Sequence, residues 1–152
     1  RFVILGKGDA ALAEGLLASP YLIKPNNHEI SRLFGQILKT PQELEQAARS
    51  LMEKHGITKI VVSMGGEGAL YVTEEATIYA EGLKVPVGST VGAGDSVVAA
   101  LAVAEESGMA LEDMVRLSTA TGAANVMCSG TQAAEYSVIE ELMPKVVFHK
   151  LR

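Results

Sequence analysis

A single cysteine, Cys128, in 152 residues excludes an internal disulfide, and no Cys/His spacing has the form of a zinc site. That usage fits a reducing cytoplasm, with Cys128 expected as a small core residue. Basic clusters are missing too: the net charge is −5, with 13 Lys and Arg against 18 Asp and Glu. No positive field therefore offers itself to nucleic acid or to anionic lipid. No run reaches the roughly 18 continuous apolar residues of a membrane span, and the N-terminus lacks a charged segment followed by an apolar one. The expectation is of no nucleic-acid and no membrane partner. A Walker A sequence is absent, which removes the P-loop nucleotidases. An initiating methionine is absent as well: the chain opens at Arg1-Phe2-Val3-Ile4-Leu5, a run that reads as the inside of a fold, so a fragment is expected.

What is present is an apolar content of 48%, enough at this length for one domain with a real core. Short β-rich runs alternate with helical stretches and no linker divides them, which is an α/β pattern. Strands are expected at Phe2 to Leu5, Tyr21 to Lys24 and Lys59 to Ser63, with an antiparallel hairpin from GALYVT (68–73) and TIYAEGL (77–83). Helices are expected over 10–18, from Thr40-Pro41-Gln42-Glu43 to Gly56, near 92–107 and over 111–128. Thr40 and Glu43 have capping-box spacing with proline at the first helical position. Ser137 and Glu140 have the same spacing, and VVFHKL near the end has the character of an edge strand.

The stretch STVGAGDS (89–96) leads into an almost unbroken apolar helix. Gly92 and Gly94 remove side chains, so successive N–H groups can point into one concavity where the helix dipole adds positive character. Asp95 in the first turn is then a carboxylate beside an anion hole. Transfer of a phosphoryl group to a hydroxyl needs that pair: a proton acceptor for the alcohol and donors for the moving charge. Read alone, the same residues also fit a helix cap and a chain turn.

Two further stretches carry chemistry of the same kind. In KPNNHE (24–29), Asn26 and Glu29 share a face if the turn after Pro25 is helical. Such a pair suits Mg²⁺ held largely through water, with Lys24 as a point charge for phosphate, or it is an ordinary helix start. His28, between them, is expected to be exposed and passive. In SMGGEGAL (63–70), backbone N–H groups of Gly65, Gly66 and Gly68 can approach a nucleotide closely, or simply turn the chain into the hairpin. The small-residue run TATGAANVMCSGT (119–131) fits a flat base lying on backbone as well as it fits close helix packing.

Taken in their order along the chain, KPNNHE, SMGGEGAL and STVGAGDS resemble the motifs of the ribokinase-like (PfkB) carbohydrate kinases, whose usual C-terminal signature is DTxGAGD. The similarity runs from about residue 21 to about 131. Ser89 in place of the first Asp resembles the branch that phosphorylates sugar phosphates, with 1-phosphofructokinase and tagatose-6-phosphate kinase among its members. The resemblance implies a three-layer α/β/α fold with a mostly parallel sheet and a small antiparallel hairpin. It implies that all 152 residues form the nucleotide-binding, C-terminal part, without the sugar-binding half or its lid. It implies Asp95 as catalytic base and Gly92, Ala93 and Gly94 as the anion hole. It implies Lys24, Asn26, Ser63, Gly65, Gly66 and Gly68 toward ATP, and Thr119 and Ala123 beside the adenine. Glu29 and Asn26 would serve Mg²⁺, and backbone oxygens near Ser89, Val91, Cys128 and Gly130 a monovalent cation such as K⁺. Fructose 1-phosphate ranks first as acceptor and tagatose 6-phosphate second, with self-association into a homo-oligomer left open.

Other readings remain beside it. Gly6, Gly8 and Ala11 satisfy G-x-G-x-x-A between an expected strand and an expected helix, with Glu29 about 20 residues on, so a dinucleotide site is conceivable. A nucleotide-binding module without catalysis is the other.

Overall fold

In the computed structural model, residues 4–5, 16, 20–89, 93–128 and 134–152 are described. The chain divides into two units, Arg1–Tyr79 with Phe148–Arg152, and Ala80–Val147. One six-stranded sheet runs in the order β1 (Ile4–Leu5), β2 (Leu22–Ile23), β3 (Lys59–Ser63), β4 (Gly68–Thr73), β5 (Thr77–Glu81) and β6 (Phe148–Lys150). The expected helix over 10–18 lies outside the described residues except for Leu16, which is helical and buried.

β1, β2 and β3 pair in parallel, with Leu5 opposite Ile23 and Ile23 opposite Ile60. Leu22 and Ile23 are both fully buried, which requires cover on both faces and explains a continuous apolar run rather than an alternating one. β3 then pairs antiparallel with β4, Ile60 opposite Val72 and Val62 opposite Leu70. A turn closed by the Thr73 N–H donating to Ala76 O at 2.8 Å leads into β5. The antiparallel part thus reaches one strand further than the hairpin expected from sequence, because the Gly65–Glu67 turn is too short for a crossover. The expected edge strand is β6, last in the sheet.

Among the described residues, the first unit includes the helices α1 (Asn27–Phe34) and α2 (Pro41–His55). The start and stop of α2 are those read from sequence: Thr40 and Glu43 form the capping box, Pro41 opens the helix, and Gly56 at φ 67° ends it. Leu44, Ala47, Ala48 and Leu51 recur at helical spacing and join Ile23, Ile30, Ile60, Val62, Leu70 and Val72 in one buried cluster. Arg49 pins the helix to the hairpin, donating to Thr73 O at 3.0 Å and to Thr77 Oγ1 at 2.6 Å while paired with Glu45.

The second unit contains α3 (Ala93–Glu106), α4 (Leu111–Met127) and α5 (Tyr136–Leu142). Small residues bring α3 and α4 close enough that a Cβ on Gly122 would sit 2.9 Å from Val97 Cγ2. The capping box expected at Ser137 is not formed: α5 begins at Tyr136 with Glu135 before it and no side-chain cap. Ser137 therefore lies inside the first turn, where it has no role as cap.

Candidate active site

In the first unit the candidate residues lie at or just after the C-terminal ends of the parallel strands β2 and β3, the edge at which open α/β sheets place their ligands. The two ends are tied together. Ser63 N–H donates to Pro25 O at 2.9 Å, and Asn26 and Ser63 form a parallel bridge. Lys24, directly after β2, is 9% exposed.

Asn26 is the N-cap of α1, and its pairing with Glu29 is reciprocal. Asn26 Oδ1 accepts from Glu29 N–H at 2.7 Å and Glu29 Oε1 accepts from Asn26 N–H at 2.8 Å. The helix start therefore occupies one oxygen of each side chain. Among the described residues no cluster of three or more His, Cys, Asp or Glu side chains is placed to enclose a metal ion. That arrangement fits Mg²⁺ held through its own waters, the habit of this small, reluctantly dehydrated ion, and does not fit an all-protein cage. His28 is exposed, as expected. Glu29 sits inside α1 rather than at the end of a strand, which removes it from the ribose-binding position of a dinucleotide site; Gly6, Gly8 and Ala11 lie outside the described residues.

The glycine turn follows Ser63. Gly65–Glu67 form one turn of 3₁₀ helix, Gly65 at φ 59° and Gly68 at φ 110°, values at which a side chain would be strained. Met64 N–H donates to Gly68 O at 2.8 Å across its neck. Gly68 N–H donates to Gly65 O, so that donor is spent inside the turn. Gly65 and Gly66 are exposed, with open space where a side chain would project.

In the second unit, Ala93 and Gly94 open α3 and Asp95 is its third residue. Their N–H groups belong to the set that a helix start leaves without intrahelical partners. Asp95 is exposed, so water solvates its carboxylate. Val91 and Gly92 lie outside the described residues, as does Gly130. Thr119 and Ala123 stand one turn apart on α4, both half-buried. Where α4 ends, Gly88 and Ser89 N–H both donate to Val126 O, at 2.7 and 3.0 Å. A Cβ on Gly88 would lie 2.6 Å from Cys128 O and 2.7 Å from Met127 O. The Ser89 and Cys128 backbones are therefore brought together at a helix C-terminus, where carbonyl oxygens carry partial negative charge, and this suits a monovalent cation. Cys128 itself is half-buried, its thiol donating to Ala124 O at 3.5 Å, rather than a full core residue.

The pfkB family carbohydrate kinase pattern matches residues 6–137 of this chain. The chain belongs to that family. A 1-phosphofructokinase of Haemophilus influenzae is 36% identical over 145 residues, which is 95% of this chain and 46% of that protein. Phosphofructokinase-2 of Escherichia coli, solved in complex with substrates and products, superposes with a TM-score of 0.85 at 33% identity over 93% of this chain and 46% of that one. The same enzyme in complex with potassium gives 0.86 at 32% identity, with the same coverage. The chain thus spans about half the length of the family members it matches, and it corresponds to their C-terminal half. No described helix is long and apolar enough to cross a membrane.

Two features of this family member carried no sequence signal strong enough to find them. Gly88 looks like any loop glycine until Cys128 is folded against it, and Tyr79, on β5, donates its hydroxyl to Glu67 O at 2.7 Å. The Glu45 and Arg49 pair could have been found from its i,i+4 spacing.

Proposed function

We propose that this chain is the nucleotide-binding part of an ATP-dependent sugar-phosphate kinase acting in the cytoplasm, with a phosphorylated ketohexose, fructose 1-phosphate before tagatose 6-phosphate, as acceptor. The observation that carries the reading is Asp95: an exposed carboxylate at the third position of a 14-residue helix, within STVGAGDS in a member of the pfkB family. Its relatives named 1-phosphofructokinase supply the preference among acceptors.

In this reading Asp95 accepts the proton of the acceptor hydroxyl as its oxygen bonds to the γ-phosphorus of ATP. The bond from that phosphorus to the β,γ-bridging oxygen breaks and ADP leaves. Ala93 and Gly94 N–H groups, at the start of α3, hold negative charge on the transferring group, as donors placed in advance of the reaction; the family motif gives Gly92 the same role. Lys24 meets phosphate as a point charge, and Asn26, Ser63, Gly65 and Gly66 line the nucleotide path, with Gly68 holding the turn. Thr119 and Ala123 lie along the adenine. Glu29 and Asn26 would orient water around Mg²⁺, which when bound would neutralise phosphate charge. Backbone oxygens at Ser89 and Cys128 would hold K⁺, with Val91 and Gly130 assigned to the same site by the family resemblance alone.

The test is turnover of the complete protein with Mg·ATP and each sugar phosphate, read as ADP release, for wild type and Asp95→Asn. Loss of a general base lowers kcat by about 10²- to 10⁴-fold, while nucleotide affinity stays close to wild type. An Asn variant with near-normal turnover would reduce Asp95 to a helix cap.

A further inference from the structure

The Gly65–Glu67 turn contains two adjacent glycines, the residue type that loses most backbone freedom on folding. Neither contributes a side chain to hold it. Its internal support is Met64 N–H to Gly68 O at 2.8 Å across the neck, Glu67 N–H to Met64 O at 3.2 Å and Gly68 N–H to Gly65 O, none of which holds Glu67 O. From outside, Tyr79 reaches across from β5 and donates its hydroxyl to Glu67 O, the last carbonyl of the turn, at 2.7 Å. The tyrosine is itself well fixed. Its ring packs against the buried cluster of the first unit and stacks on His149, with ring centroids 6.3 Å apart and planes 17° apart. A rigid ring with two side-chain torsions, held on one face by β6 and at its base by the sheet, is an efficient way to fix one carbonyl.

We propose that Tyr79 is a positioning residue for nucleotide binding: through Glu67 O it keeps the glycine turn in its binding geometry before ATP arrives. The proposal rests on the assignment of this turn to the nucleotide made above. Its physical content is preorganisation. A turn ordered in advance does not draw on binding energy to become ordered, so the cost of losing the brace falls on nucleotide affinity and not on the proton-transfer step.

Tyr79→Phe removes the hydroxyl and keeps the ring, its packing and the stack. In the complete protein we expect KM for ATP and Kd for ADP by calorimetry to rise about three- to tenfold, the equivalent of one hydrogen bond's net contribution. Both kcat and KM for the sugar phosphate should stay within about twofold, the split that marks lost binding and not lost chemistry. Thr40→Ala serves as the comparison, because losing that cap lowers stability by about 1 kcal/mol and leaves the Tyr79 to Glu67 hydrogen bond in place. It should lower the melting temperature and leave KM for ATP unchanged. An unchanged ATP KM in Tyr79→Phe overturns the proposal while leaving the kinase reading in place, and so does an equal rise in Thr40→Ala. A wild type that binds neither ATP nor ADP overturns both.

Discussion

Replacing Gly88 with alanine adds one methyl group where the fold has left no room for it. The new Cβ would lie 2.6 Å from Cys128 O, 2.7 Å from Met127 O and 2.9 Å from Cys128 C. All three are backbone atoms at the end of α4, so no side-chain rotation relieves the contact. Gly88 is not among the positive-φ glycines, and the cost therefore arises from this contact alone. Either the loop lifts or the helix end unwinds, and in both cases the two hydrogen bonds from Gly88 and Ser89 to Val126 O, at 2.7 and 3.0 Å, are stretched. Two such bonds are worth about 0.5–1.5 kcal/mol each, and overpacking costs about 1–3 kcal/mol by itself. The two costs do not add, because the displacement that stretches the bonds relieves the overlap, and alanine gains back about 0.4–1 kcal/mol by restricting the unfolded chain, leaving a net loss of about 2 kcal/mol.

At about 2–4 °C per kcal/mol for a chain of this size, the melting temperature should fall by about 4–8 °C. Gly122→Ala is the internal control. There the methyl meets Val97 Cγ2, a side-chain atom, at 2.9 Å. The cost of an off-rotamer valine, about 0.5–1.5 kcal/mol, is offset by the helix preference of alanine over glycine, about 0.8–1.0 kcal/mol, so its stability should stay close to wild type. Paired thermal melts by circular dichroism decide the matter. If Gly88→Ala melts with the wild type, or if Gly122→Ala is the more damaging of the two, the packing of the 88–89 loop on α4 described here is wrong.

Two further outcomes follow from the two capping boxes. Glu29→Gln keeps an oxygen able to accept the Asn26 N–H and removes only the charge, so the melt should move by no more than the helix-dipole contribution of about 0.3–1 kcal/mol. Turnover should require more Mg²⁺ at fixed ATP, and an unchanged Mg²⁺ dependence would make Asn26 and Glu29 a helix start alone. Backbone N–H groups of Lys39 and Thr40 donate to Glu43 Oε1 at 3.1 Å each and hold its carboxyl below the ordinary glutamate range. A depressed folded value means stabilisation that is present above the unfolded pKa of about 4.3 and is lost as pH falls through the folded value. Acid titration of the melting temperature should show Glu43→Gln lacking that part of the decline, and parallel curves for the two proteins would refute it.

Local chemistry made much of this protein legible in one dimension. Thr40, Pro41, Glu43 and Gly56 each satisfy a requirement of α2 that no distant residue can alter: an N-cap acceptor, a missing N–H, a reciprocal carboxylate and a positive φ. Lys59 to Ser63 declared a strand for the same reason, and the glycine spacing around Asp95 declared a helix start with exposed donors. The family's motifs are short and contiguous, so the sequence could carry them whole.

What the sequence could not carry were pairings between distant segments and the choice between two uses of one group. Ser137 and Glu140 have the spacing of Thr40 and Glu43, yet only the latter pair caps a helix, because α5 begins at Tyr136, two residues before the start that a Ser137 cap would set. Asn26 and Glu29 could have faced a metal ion or the backbone, and it took the bridge from Asn26 to Ser63 to set them at the mouth of β2 with one oxygen each committed to the helix. Tyr79 and Glu67 are 12 positions apart, and Gly88 and Cys128 are 40 apart. Each contact depends on where the sheet and α4 carry the backbone, and no property of a tyrosine or a glycine taken alone encodes that.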